Sequence, residues 1–239
     1  MKPILATGHC YLRPAGFPLA VGHAQTDAGR TPPHPHDLTE VKHYHDFCEL
    51  AIVTHGQAMH WVEGGAFPIA AGDVFLLQGR QSHYYFEPQA LRLTNVMYDP
   101  KSIGLLEDEL RKMPGYCAMF LLEPTYRRQH RFASRLHLSR TPLARVEQLV
   151  EELETECTGR PVGYEAAAQA KLIELIVFLA RSYDASEVPE AQALLRVGHV
   201  IRTLENDFSR NWKIDELVQI AHMSRSNLIS VFRKATGRP

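Results

Sequence analysis

Three histidines and one glutamate, His43, His45, His83 and Glu49, carry the most chemical potential in this 239-residue sequence. Histidine is crowded in the front half: seven of the 13 are His34, His36, His43, His45, His55, His60 and His83. Within HYHDFCELAIVTHG the spacing is His43-x-His45-x3-Glu49-x6-Gly56. Residues two apart in an extended strand share a face, so His43, His45 and Glu49 can converge. A second segment, GDVFLLQGRQSH, brings up His83. Three imidazoles and a carboxylate have two uses. They can hold a divalent metal, with zinc, nickel, iron and manganese all suited by ligand type. They can instead hydrogen-bond an organic ligand, or simply one another. Nearby, Trp61, Tyr84, Tyr85 and Phe86 suit ordinary packing, while Trp61 and Tyr85 are also candidates to stack on the apolar face of a sugar. His55 and His60 read as strand residues facing solvent or a polar pocket wall. His34 and His36, in TPPHPHD, read as part of a lead-in with no assigned role.

The elements that must position these groups are short strands. Apolar runs at Leu50–Val53, Met59–Val62, Val74–Leu77 and Leu91–Tyr98 are broken by Gly56, Gly64–Gly65, Pro68, Gly72 and Gly79. Such a rhythm predicts an all-β sandwich or barrel, with Gly64–Gly65 as a hairpin turn. His43, His45, Glu49 and Gly56, followed by Gly72 and His83, resemble the two sequence motifs of the cupin superfamily. Gln78 and Arg80 depart from it, standing where that family usually has Pro and Gly. The resemblance implies an antiparallel β-barrel. It also implies that His43, His45, Glu49 and His83 occupy the positions that are ligands in metal-bearing members.

From about residue 140 the texture turns helical. Thr141 and Pro142 read as an N-cap and first-turn proline. Leu143, Val146, Leu149, Val150 and Leu153 follow at helical spacing, and Gly159 and Pro161 stop the run. A second helix is predicted over 162–183 and a polar linker over 184–190. Leu194, Val197, Val200, Ile201, Leu204 and Phe208 mark a further helix. IDELVQIA forms the next, with Asp215 and Glu216 favourably placed at its N-terminus. After a turn at His222 and Met223, Ser224 is a plausible N-cap for a last helix ending at Gly237. Leu217, Val218, Ala221, Met223, Leu228, Val231 and Phe232 let the last two helices pack as a helix-turn-helix. From Leu194 onward eight basic residues face four acidic ones, a balance of +4 in a chain of net charge −1; phosphate binding needs such a local excess.

Ser224, Leu228, Phe232, Arg233 and Gly237 fill the pattern S-x3-L-x3-F-[RK]-x3-G. This resembles the first helix-turn-helix of the AraC family of bacterial activators. The barrel motifs, with Leu93–Val96 and Tyr98 after the second, are most similar to the family's rhamnose-responsive branch. The resemblance implies groove-facing residues Arg225, Ser226, Ile229, Ser230 and Arg233. His222 stands where glycine is usual, and Ile229 and Ser230 are less suited to base readout than the longer polar residues often found there. It implies a small-molecule effector, of the carbohydrate class by analogy with that branch, and a homodimer. Family members carry two helix-turn-helix units. This sequence halts after the first, so weak DNA binding is expected of it alone.

Composition fits that reading. A hydrophobic fraction of 45% supports a real core. Cys10, Cys48, Cys117 and Cys157 show no CxxC spacing and read as four reduced thiols. No apolar run suggests a signal peptide or membrane span, which leaves a cytoplasmic protein as the expectation. The resulting fold class is α+β multidomain: a cupin-like barrel over 1–138, a helical linker or dimerisation region over 139–189, and a partial helix-turn-helix domain over 190–239. A metal-dependent cupin enzyme is the competing function, and an enzyme has no use for the helix-turn-helix. A sensor or dimerisation module without DNA binding is the third.

Overall fold

A computed structural model describes residues 3–12, 16–26, 41–62, 65–79, 81–127 and 134–237. His34, His36, Gly64, Arg80 and Arg238 lie outside the described residues. The chain forms two compact units, residues 1–105 with 137–175, and residues 106–136 with 176–239.

The first unit is built on one sheet: β1 (Ile4–Ala6), β2 (Leu19–Gln25), β3 (His43–His45), β4 (Cys48–Val62), β5 (Gly65–Ala70), β6 (Asp73–Leu77), β7 (His83–Tyr98) and β8 (Leu136–His137). The path of paired strands runs β1-β3-β7-β4-β6-β8, with β2 added to β7 and β5 to β4. β1 pairs with β3 in parallel, while β2 with β7, β3 with β7, and β4 with β5, β6 and β7 are antiparallel. The architecture is barrel-like, its strand path open rather than closed. The long strands β4 and β7 form its spine. They pair from Cys48↔Tyr98 to Val62↔His83, with register shifts between Val53 and Met59.

Those shifts centre on Gly56, which has φ +69. A Cβ there would lie 2.2 Å from the carbonyl oxygen of Ala90, so only glycine fits. Opposite it, Glu87 and Ala90 also take positive φ. The result is an irregular ladder that bends both strands. The core fills with Leu50, Ile52, Val53, Val74, Phe75, Leu76, Leu91, Leu93 and Val96, all 2% exposed or less. At the end of β5, buried Asp73 accepts from Ala70 N (2.9 Å) and from His137 Nδ1 (2.8 Å). Helix α5 (Arg140–Gly159) packs beside β2, where His23 bridges Thr94 (3.2 Å) and Glu154 (3.0 Å). It begins after Ser139 rather than after Thr141 as predicted, because Ser139 is the extended residue at the boundary. Arg160 in the left-handed region ends it. Helix α6 spans Tyr164–Asp184. The short α1 (Gly8–Tyr11) precedes β2.

The second unit holds α2 (Glu107–Leu110), α3 (Pro114–Tyr116), a π-helical turn (Cys117–Leu122), α4 (Glu123–Tyr126), α7 (Pro189–Asn206), α8 (Ile214–Ala221) and α9 (Arg225–Thr236). Residues 106–136 therefore group with the C-terminal helices and not with the sheet. The reason is close helix packing: a Cβ on Gly198 of α7 would sit 2.6 Å from the Pro114 carbonyl oxygen. A buried polar knot lies nearby. Arg127 Nη2 donates to Glu123 Oε2 at 2.5 Å, Ser134 Oγ donates to Glu123 Oε1 at 3.2 Å, and Tyr183 Oη donates to the Ser134 carbonyl at 2.7 Å. Burial, and then the Glu123 carboxylate, push the Tyr183 hydroxyl well above its ordinary pKa. Helix α7 stops at Asn206, so Phe208 is 89% exposed instead of continuing the apolar face. Cys48, Cys117 and Cys157 are free thiols. Burial pushes Cys117 up to about 12 and Cys157 to about 11, so neither is a ready nucleophile. No helix among the described residues is long and apolar enough to cross a membrane.

Candidate functional site

Strand pairing assembles the histidine site. His43 of β3 is the direct partner of His83 on β7, and their ring centroids are 4.3 Å apart. His45, two residues on, presents the same face; its ring lies 5.1 Å from His43 and 4.9 Å from His83. A bend at Asp46 and Phe47 then starts β4. Glu49 returns to the cluster with Oε2 3.2 Å from His45 Nε2. His45 Nε2 and His83 Nε2 are 3.4 Å apart. The two nitrogens can share a proton or a common partner at that distance. His43 Nδ1 lies 2.6 Å from the Val41 carbonyl, so that nitrogen carries the hydrogen and Nε2 is left as the electron-pair donor. All four residues are 6% exposed or less.

His60 is a member that residue spacing did not reveal. It is fully buried, so the predicted solvent-facing alternative does not hold for it. Its ring is stacked between Phe75 (4.9 Å) and Tyr85 (4.8 Å) and meets His83 edge-on at 5.5 Å. Tyr85 therefore lies with the cluster. Trp61 does not: the alternation of β4 turns it to the opposite face. There it stacks on Tyr84 at 5.4 Å, under Lys42 Nζ at 4.0 Å. His55 is exposed, as predicted.

The donor set fits a cation. One ligand nitrogen from each of His43, His45 and His83 lies within 4.8 Å of the other two, and the Glu49 carboxylate is adjacent. Buried imidazoles with one carboxylate are the ligand type that zinc, nickel, iron and manganese accept.

At the other end of the sequence, α8 and α9 form the predicted helix-turn-helix. Ser224 caps α9 by accepting from Asn227 N at 3.3 Å. His222 ends α8 at φ 49, ψ 42. The Glu216 carboxylate accepts from Lys213 N at 2.8 Å and pairs with Arg210. That backbone bond, then the Arg210 charge, hold the Glu216 carboxyl below its ordinary range. Leu228, Val231 and Ala235 are buried on one side of α9. Arg225, Ser226, Ile229, Ser230 and Arg233 line the exposed side. This is the amphipathic division a groove-reading helix needs. Arg225 Nη1 is 3.8 Å from Asp215, a loose and exposed pair.

A buried polar cluster inside a sheet domain, carried in one chain with a helix-turn-helix, is the make-up of a ligand-binding domain with a nucleic-acid reader. Comparison with known families agrees. Residues 18–176 match the AraC-like ligand binding domain, and residues 204–238 match the bacterial regulatory helix-turn-helix proteins of the AraC family. The chain belongs to the AraC family. It is similar to the HTH-type transcriptional activator RhaR of Klebsiella pneumoniae, 28% identical over 199 residues, which cover 82% of this chain and 66% of that one. The protein of the same name from Enterobacter is 26% identical over 229 residues, 95% of this chain and 75% of the relative. The chain thus spans about two thirds to three quarters of the length of these relatives. Among solved structures, ToxT from Vibrio cholerae is similar at 12% identity over 93% of this chain and 76% of that one, with a TM-score of 0.39.

Proposed function

We propose that this protein is a ligand-responsive transcription activator that works in the cytoplasm as a homodimer and senses a neutral sugar through its sheet domain. The observation that carries the reading is the pairing, in one chain, of a buried His43–His45–Glu49–His83 cluster with a capped recognition helix exposing Arg225, Ser226, Ile229, Ser230 and Arg233. Functionally, the sheet unit acts as the sensor, the helices over 139–189 as the linker or dimerisation region and residues 190–239 as the reader. A sugar bound more tightly by one state of the protein than the other shifts the population toward that state. The chain is a regulator and not an enzyme; its relatives carry activator names.

The test has two arms. Thermal shift against neutral monosaccharides, L-rhamnose included, is expected to raise the melting temperature by several degrees at about 100 times Kd. Selection from a random duplex pool at low salt is expected to enrich a sequence whose binding weakens in Arg225→Ala and Arg233→Ala. No sugar response and no enrichment would remove the reading.

A second reading concerns the cluster itself. Its geometry favours a divalent metal held by His43, His45 and His83, with the Glu49 carboxylate beside His45 as a further donor. Such an ion would supply a Lewis-acidic point inside the sheet domain, while the protein residues fix its place and exclude water.

A further inference from the structure

The sheet domain holds a cavity of about 770 Å³ away from the interior histidines, at the end of the sheet where β2 and β4 begin and β7 ends. We propose that this cavity is where the uncharged, hydroxyl-rich effector binds, and that Phe47 reports its occupancy to the histidine cluster. The inference rests on the sugar-sensing reading above and adds a location and a transmission route.

Size comes first. Small-molecule sites run to about 300–1,000 Å³, and this cavity falls inside that range. Its walls then select chemistry. Asp46 and Asp99 supply carboxylates, Thr7 and Ser102 hydroxyls, and Leu12, Phe17, Pro18 and Phe47 apolar surface. Among the described lining residues there is no lysine, arginine or histidine. These two carboxylates disfavour phosphates and acids beside them. They welcome O–H donors, which ionised carboxylates accept strongly. The apolar walls suit the C–H faces of a sugar ring.

The carboxylates are held in place by the backbone. Asp46 Oδ1 accepts from Gly8 N at 2.6 Å. Asp99 accepts from Lys101 N at 3.0 Å and from Ser102 Oγ at 2.5 Å, and its own N–H donates to the Pro18 carbonyl at 3.0 Å. Each carboxylate keeps lone pairs beyond these bonds. The site is therefore preorganised, which lowers the ordering cost of binding.

The route to the cluster is short. Asp46 and Phe47 are the bend between β3, which carries His43 and His45, and β4, which carries Glu49. Phe47 is one of the residues that line the cavity. It also stacks on His45 at 4.8 Å and 20°, and packs with Leu12 and Met97. A ligand pressing on Asp46 and Phe47 acts on the backbone that separates His45 from Glu49.

The experiment uses the full chain, with isothermal titration of neutral monosaccharides, a sugar phosphate and putrescine against wild type, Asp46→Asn and Asp99→Asn. Asparagine keeps an acceptor for the local backbone bond, and unliganded melting curves check that each variant folds. A neutral sugar is expected to bind wild type, the phosphate to fail, and each variant to bind about 10-fold more weakly, as fits loss of a charge-assisted hydrogen bond. Saturation transfer from Phe17 and Phe47 ring protons to the sugar gives a readout that needs no variant. Wild-type affinity in both variants, with no transfer from these rings, would place the effector elsewhere and leave the sugar reading intact. Putrescine binding in place of sugar would overturn the ligand class. Failure of every neutral sugar on wild type would end both the inference and the reading beneath it.

Discussion

His43 and His83 are direct partners across antiparallel strands, with their rings 4.3 Å apart. Hydrogen-bonded pairing thus forces two imidazoles together in a buried place. His45 and Glu49 complete the set, and buried imidazoles crowded in this way gain from a shared cation. Zinc added to metal-free, untagged protein is expected to raise the melting temperature, by about 2.7 kcal/mol of stability at 100 times Kd. His45→Ala and His83→Ala should abolish that shift. A full zinc response in both variants would move the metal off the cluster.

His60 sits in an aromatic stack between Phe75 and Tyr85. Truncating a ring at a fully buried site leaves a cavity, so His60→Ala should cost about 3 kcal/mol in urea unfolding, comparable to loss of a buried aromatic. His55→Ala, at an exposed position on the same strand, should stay within about 0.5 kcal/mol of wild type. Equal effects for the two would contradict the placement.

Why His60 escaped detection is a matter of strand parity. In β3 and at the start of β4, His43, His45 and Glu49 face inward at odd positions. After the irregular stretch around Gly56, Ala58, His60 and Val62 face inward at even positions. Counting by twos from His45 therefore assigns His60 to the wrong face. The Gly56 turn is visible in sequence, but the net one-residue slip that it introduces is not. The same slip carries Trp61 outward to Tyr84. By contrast, the helix-turn-helix was legible almost to the residue, since caps and apolar spacing within 24 residues (214–237) are local. The grouping of residues 106–136 with the C-terminal helices was not legible. It depends on a distant backbone approach, Gly198 to Pro114.

His222 adopts φ 49 and ψ 42 at the end of α8. A non-glycine residue there bears roughly 1–2 kcal/mol of strain, partly offset by the smaller freedom that histidine loses on folding. His222→Gly should raise stability by about 0.5–1 kcal/mol. Chemical denaturation is the measurement, and a loss of stability would show that the His222 side chain holds the turn.

Glu216 gives a pH test. Its carboxyl is depressed by the Lys213 N–H and then by Arg210. A depressed carboxyl stabilises the fold above its unfolded pKa, and that stabilisation fades as pH falls through the folded value. The gap in melting temperature between wild type and Glu216→Gln should therefore be full near neutrality. It should close on acidification below the ordinary glutamate range. A gap independent of pH would mean that the carboxylate charge is not what matters.

The pair of Glu123 and Arg127, with Ser134 and Tyr183 around it, has a consequence on a longer timescale. Both side chains are 2% exposed or less. Losing either alone strands a charge in the interior at a cost of about 3–5 kcal/mol, a large share of a domain's total stability. Replacing both with well-packed apolar residues is often neutral or favourable. Descendants of this chain can reach that alternative only through a crippled intermediate or by two changes arriving together. The pair is thus held in place by the cost of each single change, whatever the energy of the double replacement.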